Sequence, residues 1–173
     1  MSEQERPLAL ELREFYETPL HRMMGLKVVQ QESPSIVTME LNDELRGAAP
    51  GTVHGGMLAT LADVTCALAL SQTYDIFTEM PVTTDMHIRY YRQPRSGPLK
   101  AEGRLVHGGR RLRSVECAVL DADDRTLIRA TATYMMVPQA APGVLASESS
   151  GRRGAAPGDG EHGDARAGLG GDE

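Results

Sequence analysis

Asp63 is the only charge in the apolar run 57–70, MLATLADVTCALAL. A carboxylate among apolar neighbours is costly unless it is paired or used. That makes Asp63 a candidate general base or nucleophile. A side chain that merely faces water, or closes a local hydrogen bond, would read the same way. Immediately before this run stand Thr52, Val53, His54, Gly55 and Gly56. Glycines are poor helix formers, by roughly 1 kcal/mol each against alanine. Their use is close backbone approach. Free N–H groups in a first helical turn, with the helix dipole behind them, make an oxyanion or anion site. Gly55 and Gly56 are therefore candidate donors, although a simple tight loop-to-helix junction needs the same residues. Gly55 and Asp63 are separated by about 12 Å of helix. One copy cannot bring both to a single reacting carbon. Two antiparallel copies of the helix, related by a two-fold axis, could.

A second cluster is basic. Residues 89–113 hold eight Lys or Arg (Arg89, Arg92, Arg95, Lys100, Arg104, Arg110, Arg111 and Arg113) against one acid, Glu102. Such a local excess, in a chain of net charge −6, suggests an anionic ligand. Gly109, Arg110 and Arg111 combine backbone N–H groups with guanidiniums, a set suited to phosphate. A solvated sheet edge guarded against pairing is the competing reading for much of the cluster. The five histidines have no zinc-ligand spacing, so no metal is implicated. Cys66 and Cys117 lie in apolar runs without a CxxC motif, which reads as reduced, buried thiols of a cytoplasmic protein.

The elements that must position these residues follow from periodicity. A short helix is expected over 7–16 and a strand over 25–31. A half-buried strand over 36–41 and a loop over 42–53 lead to the long helix over 54–72. Four strands complete the set at 82–91, 99–107, 112–120 and 126–137, with short turns at Gly108-Gly109 and at 121–124. The strand over 82–91 reads as strict alternation, with Thr83 and Asp85 opposite Met86 and Ile88. Strands in hairpin succession make an antiparallel sheet, and one long apolar helix needs that sheet as cover. The fold class is α+β.

Residues 138–173 break from this pattern. They hold nine of the chain's 18 glycines and few large apolar residues. A segment of that composition cannot offset its ordering entropy, so a disordered acidic tail is expected after a domain spanning 1–137. The first residues, MSEQERP, have no signal-peptide pattern. The longest apolar run, at 14 residues, is too short to cross a bilayer. An acidic chain with no Trp and seven aromatics is a poor nucleic-acid binder.

The segment GTVHGGMLATLAD, with Asp nine residues after the His of His-Gly-Gly, resembles the signature of hotdog-fold acyl-CoA thioesterases. The branch it resembles includes phenylacetate-degradation thioesterases and small mammalian acyl-CoA thioesterases. TTDMHIRYYRQP (83–94) and Gly109-Arg110 extend the likeness, as does the order of elements over about 8–137. The resemblance implies an antiparallel sheet wrapped around one long central helix. It implies a homodimer or a dimer of dimers and hydrolysis of acyl-CoA to free acid and coenzyme A, without a cofactor. By position, Asp63 matches the family's nucleophile or general base. Gly55 would polarise the thioester carbonyl, His54 would help set the helix start, and Thr83 would help hold the attacking water. The basic turn would take the phosphates of coenzyme A. Some relatives carry Asn six residues before the His, where this chain has Ala48. A non-catalytic acyl-CoA-binding module on the same fold is the alternative. Hydration or dehydration of acyl-CoA would need an Asp/His pair on the helix, which is missing.

Overall fold

The computed structural model describes residues 18–75 and 77–139. The helix expected over 7–16 lies outside them, as does the tail expected over 138–173 except for its first two residues: Pro138 ends the last strand opposite Glu79, and the Gln139 N–H donates to the Thr78 carbonyl. In chain order the elements are α1 (Pro19–Met23), β1 (Leu26–Gln30), β2 (Ser35–Met39), a 3-10 turn (Asp43–Leu45), α2 (Gly55–Leu70), a second 3-10 turn (Ser71–Thr73), β3 (Glu79–Tyr90), β4 (Leu99–Gly108), β5 (Leu112–Leu120) and β6 (Thr126–Pro138). The added element is α1. Thr18 caps it by accepting the His21 N–H at 3.3 Å, and Pro19 opens it with a helix-ready φ.

All six strands form one antiparallel sheet in the order β1-β2-β4-β5-β6-β3. The hairpins β4-β5-β6 are its centre, and β3 returns after α2 to lie on the far edge beside β6. Across the inner face runs α2, burying Leu58, Leu61, Ala62, Val64, Thr65, Cys66, Leu68 and Leu70. A fully buried aliphatic side chain stabilises by about 1.5–3 kcal/mol, so this helix and the sheet face under it carry the core. Approach is close at Gly103 of β4, where a Cβ would stand 2.8 Å from the Thr65 carbonyl oxygen. Only glycine lets the helix sit that low. Cys66 and Cys117 are buried there and unlinked. The neighbouring Cys117 thiol and then burial push the Cys66 thiol up, which leaves it inert. Among the described residues no helix is long and apolar enough to cross a membrane.

One strand departs from the expected pattern in a way that matters for the site. β3 starts at Glu79 and passes through Pro81, which an edge strand tolerates because its outward N–H has no ladder partner. Thr83 then pairs with Tyr134, Asp85 with Thr133, Met86 with Ala132 and Ile88 with Ala130. Thr84 is the extra residue of a bulge, so strict alternation fails there. The bulge shifts the phase of the strand by one. Thr83, Met86 and Ile88 therefore share the inner face with Tyr134, Ala132 and Ala130, rather than lying on opposite faces.

The β5–β6 turn is built around Asp121, which is buried. Its carboxylate pairs with Arg125 and accepts backbone N–H groups from Asp123 and Arg125 at 3.1 Å each. Burial alone would push this carboxyl up. The Arg125 guanidinium, with the N–H groups of Arg125 and Arg95, outweighs it and holds the carboxyl below its ordinary value. A depressed carboxyl contributes stability that is present above the unfolded Asp value, near 3.9, and is lost as pH falls through the folded one. Asp121→Asn should therefore melt below wild type at pH 7, and the gap should narrow as pH drops below about 4. Melting curves at stepped pH test this. A gap that persists unchanged at pH 2 would contradict the assignment.

Candidate active site

The entry to α2 is tied down from three sides. The His54 N–H donates to the Leu45 carbonyl at 2.8 Å, the Val53 N–H to Gln93 Oε1 at 2.9 Å, and the Tyr90 hydroxyl to the Gly55 carbonyl at 3.1 Å. His54 is the N-cap: its Nδ1 accepts the Gly56 N–H at 2.9 Å, and its carbonyl accepts the Met57 N–H at 2.9 Å. This bears on Gly56, expected to contact substrate. Its N–H is engaged by the cap. Its lack of a side chain serves the cap as well, since a Cβ would lie 2.9 Å from His54 Nδ1. The Gly55 N–H, first in the helix, has no intrahelical acceptor. It is the donor that remains at the positive end of the helix dipole.

Two turns along, Asp63 is half-buried on the stripe of α2 that the sheet does not cover, with Ala59, Thr60 and Ala67 beside it, also half-buried. Its Oδ1 accepts two hydroxyls, Tyr134 at 2.8 Å and Thr83 at 3.0 Å. Tyr134 Oη also lies 3.0 Å from the Asp63 backbone carbonyl. Thr83, expected to hold water, thus donates to the carboxylate itself. Its oxygen keeps acceptor capacity for a water. Burial above all, then the neighbouring Cys66 and Asp63, pushes the Tyr134 phenol up, so it stays a donor. Tyr134 was not among the sequence candidates. Its signal lies in β6, where Ala130, Ala132, Tyr134 and Met136 alternate as buried residues and only one carries a polar tip.

The basic cluster splits into parts with different work. Lys100 pairs with Glu102 and Asp124, both at 3.1 Å. Arg113 is buried, donating to Thr73 Oγ1 at 2.7 Å and the Gly109 carbonyl at 3.3 Å, with Tyr74 under its guanidinium. It braces the β4–β5 turn against the 3-10 turn that follows α2. Arg89 and Arg104 line a groove of about 490 Å³ on the outer face of the sheet, together with Arg129 and Glu116. That face points away from Asp63. Arg110 and Arg111 sit exposed in the turn before β5, and Gly109 closes it with its carbonyl held by Arg113. Leu112 and Arg113 of β5 pair with Met135 and Tyr134, so this turn lies at the Asp63 end of the sheet. Gly55 lies at the other end, against Tyr90.

Comparison with known proteins bears on the family and the fold. The thioesterase superfamily profile matches residues 50–128, which include Gly55, Asp63 and Thr83. A solved structure of a thioesterase-superfamily protein is 30% identical, with a TM-score of 0.64 over 73% of this chain and 97% of that one. The conserved protein PA5202 from Pseudomonas aeruginosa is 28% identical, with a TM-score of 0.66 over 72% of this chain and 98% of its own. In sequence, SSO2140 of Saccharolobus solfataricus, which is named as an esterase, is 24% identical over 119 residues, 68% of this chain and 83% of that protein.

Proposed function

The chain belongs to the thioesterase superfamily, and from that premise we propose that it hydrolyses an acyl-CoA thioester to the free acid and coenzyme A. The observation that carries this reading is Asp63, a half-buried carboxylate fixed by two hydroxyls on the uncovered stripe of α2. Gly55 N–H supplies the oxyanion donor, and it comes from a second copy because about 12 Å of helix separates it from Asp63 of its own. Two features favour a homodimer that completes the site. The stripe around Asp63 is formed of small residues, which let a partner helix lie close. The twelve-residue β3 is a sheet edge open to a second strand, exposing Met80 and Val82 on its outer face and Tyr90 on its inner one.

Either of two routes balances. As general base, Asp63 takes a proton from water while the oxygen attacks the carbonyl carbon. The oxyanion then collapses, the C–S bond breaks, and the thiolate takes the proton. As nucleophile, the carboxylate displaces the thiolate to give a mixed anhydride, which water opens to two acids. In both, the charge that develops on the carbonyl oxygen is met by Gly55 of the partner subunit.

Thiol release from short-chain, long-chain and aryl acyl-CoA esters tests the activity. The matching acyl-pantetheine esters, which lack the nucleotide, test the coenzyme. Arg110→Gln or Arg111→Gln should lower kcat/KM for the CoA ester about tenfold, the worth of one hydrogen bond to a charged group. The pantetheine ester should lose little, and added salt should shrink the difference because both side chains are exposed. Equal losses on both esters, or none in either variant, would remove coenzyme A recognition from this turn.

A further inference from the structure

Both side-chain hydrogen bonds to Asp63 fall on one of its two carboxylate oxygens. Tyr134 and Thr83 donate to Oδ1 at 2.8 and 3.0 Å. A carboxylate oxygen offers about two acceptor sites, so Oδ1 is filled. Oδ2 accepts no hydrogen bond from any described residue. The donors are not free to wander. Tyr134 is 1% exposed within the core, and Thr83 stands opposite it in the β3–β6 ladder. The second contact of Tyr134 Oη, 3.0 Å from the Asp63 carbonyl, ties the phenol to the helix backbone as well as to the carboxylate.

We propose that Tyr134 is a positioning residue which, with Thr83, holds Asp63 by Oδ1 and so makes Oδ2 the oxygen that meets the substrate. This rests on the thioesterase reading and deepens it. Under the base route Oδ2 takes the proton of water, and under the nucleophile route Oδ2 bonds to the acyl carbon. In both cases the hydroxyls stay on Oδ1 and do no covalent chemistry. Their contribution is orientation, which removes rotation of the carboxylate about its own axis before the reaction begins. The bulge at Thr84 is part of the device, because without its phase shift the Thr83 hydroxyl would face away from α2.

The test is steady-state kinetics with hexanoyl-CoA and benzoyl-CoA, alongside melting curves, on Tyr134→Phe, Thr83→Val, Thr83→Ser and Asp63→Asn. Tyr134→Phe keeps the ring and loses the donor. Its kcat should fall about 10- to 100-fold with KM within about twofold, as expected for a lost hydrogen bond to a charged group. Thr83→Val should lower kcat in the same way, and Thr83→Ser should restore it. A rise in KM at unchanged kcat would make Tyr134 a pocket wall and overturn the proposal. Inactive Asp63→Asn beside Tyr134→Phe with wild-type kcat would overturn the positioning role alone. Active Asp63→Asn would overturn the thioesterase reading and this inference with it. Should Tyr134→Phe fail to fold, the Thr83 pair decides: a loss in Val rescued by Ser supports the clamp, and wild-type kcat in Val rejects it.

Discussion

Asp63→Asn should cut turnover severely while leaving the fold, and the proposed dimer, intact. The loss in kcat should be about 10²–10⁴-fold, the range for removing a positioned base. The site makes this an unusually clean substitution. Tyr134 and Thr83 are both donors, and the Tyr134 phenol stays protonated. They will hold the amide oxygen of an asparagine at the Oδ1 position and turn its NH2 toward the substrate. Volume and both hydrogen bonds survive, while the basic oxygen does not. Thiol release by purified Asp63→Asn is the measurement, with melting temperature as the control. A rate near wild type would sink the proposed mechanism.

Gly55→Pro should cost about 10²–10³-fold in kcat, the scale of one lost oxyanion donor. The local backbone suits the change. Gly55 is the first residue of α2, where proline is favoured and the N–H makes no helical bond. His54 before it has φ −61° and ψ 129°, the extended conformation that a residue preceding proline prefers. The ring therefore removes the donor without breaking the helix. Mixing Gly55→Pro with Asp63→Asn then tests whether the site is shared. In a mixed dimer one site combines an intact Gly55 with an intact Asp63, and the other has neither. Random exchange should restore about a quarter of wild-type activity, because half the dimers are mixed and each has one working site of two. A verified mixed dimer with no activity would rule out the composite arrangement.

The structure narrows what the basic segment can do. Of its eight cations, Lys100 is spent on Glu102 and Asp124, and Arg113 is buried as a brace. Arg89 and Arg104 face the outer groove. Arg92 and Arg95 are exposed in the stretch after β3, and Arg110 and Arg111 are exposed at the Asp63 end, where a phosphate contact would lie beside the proposed base.

Much of the fold was legible because it depends on local chemistry. Hairpin turns and two-residue alternation mark β4, β5 and β6 to within a residue or so, and the sixteen-residue run from Gly55, apolar or small but for Asp63 and two threonines, reads as a helix that something must cover. Asp63 stood out for the same reason, as a lone charge whose burial has a known cost. Tertiary structure decided the rest, and each case turns on contacts distant in sequence or on a single residue of register. Tyr134 meets Asp63 across 71 positions, which no periodicity can reveal. Thr83 reaches the same oxygen only because one extra residue at Thr84 reverses the strand's phase, and a one-residue slip exchanges the two faces of a strand. Gly56 reads like Gly55 in the sequence, yet the cap takes its N–H and leaves its neighbour's free, because a helix start has more donors than one capping side chain can satisfy.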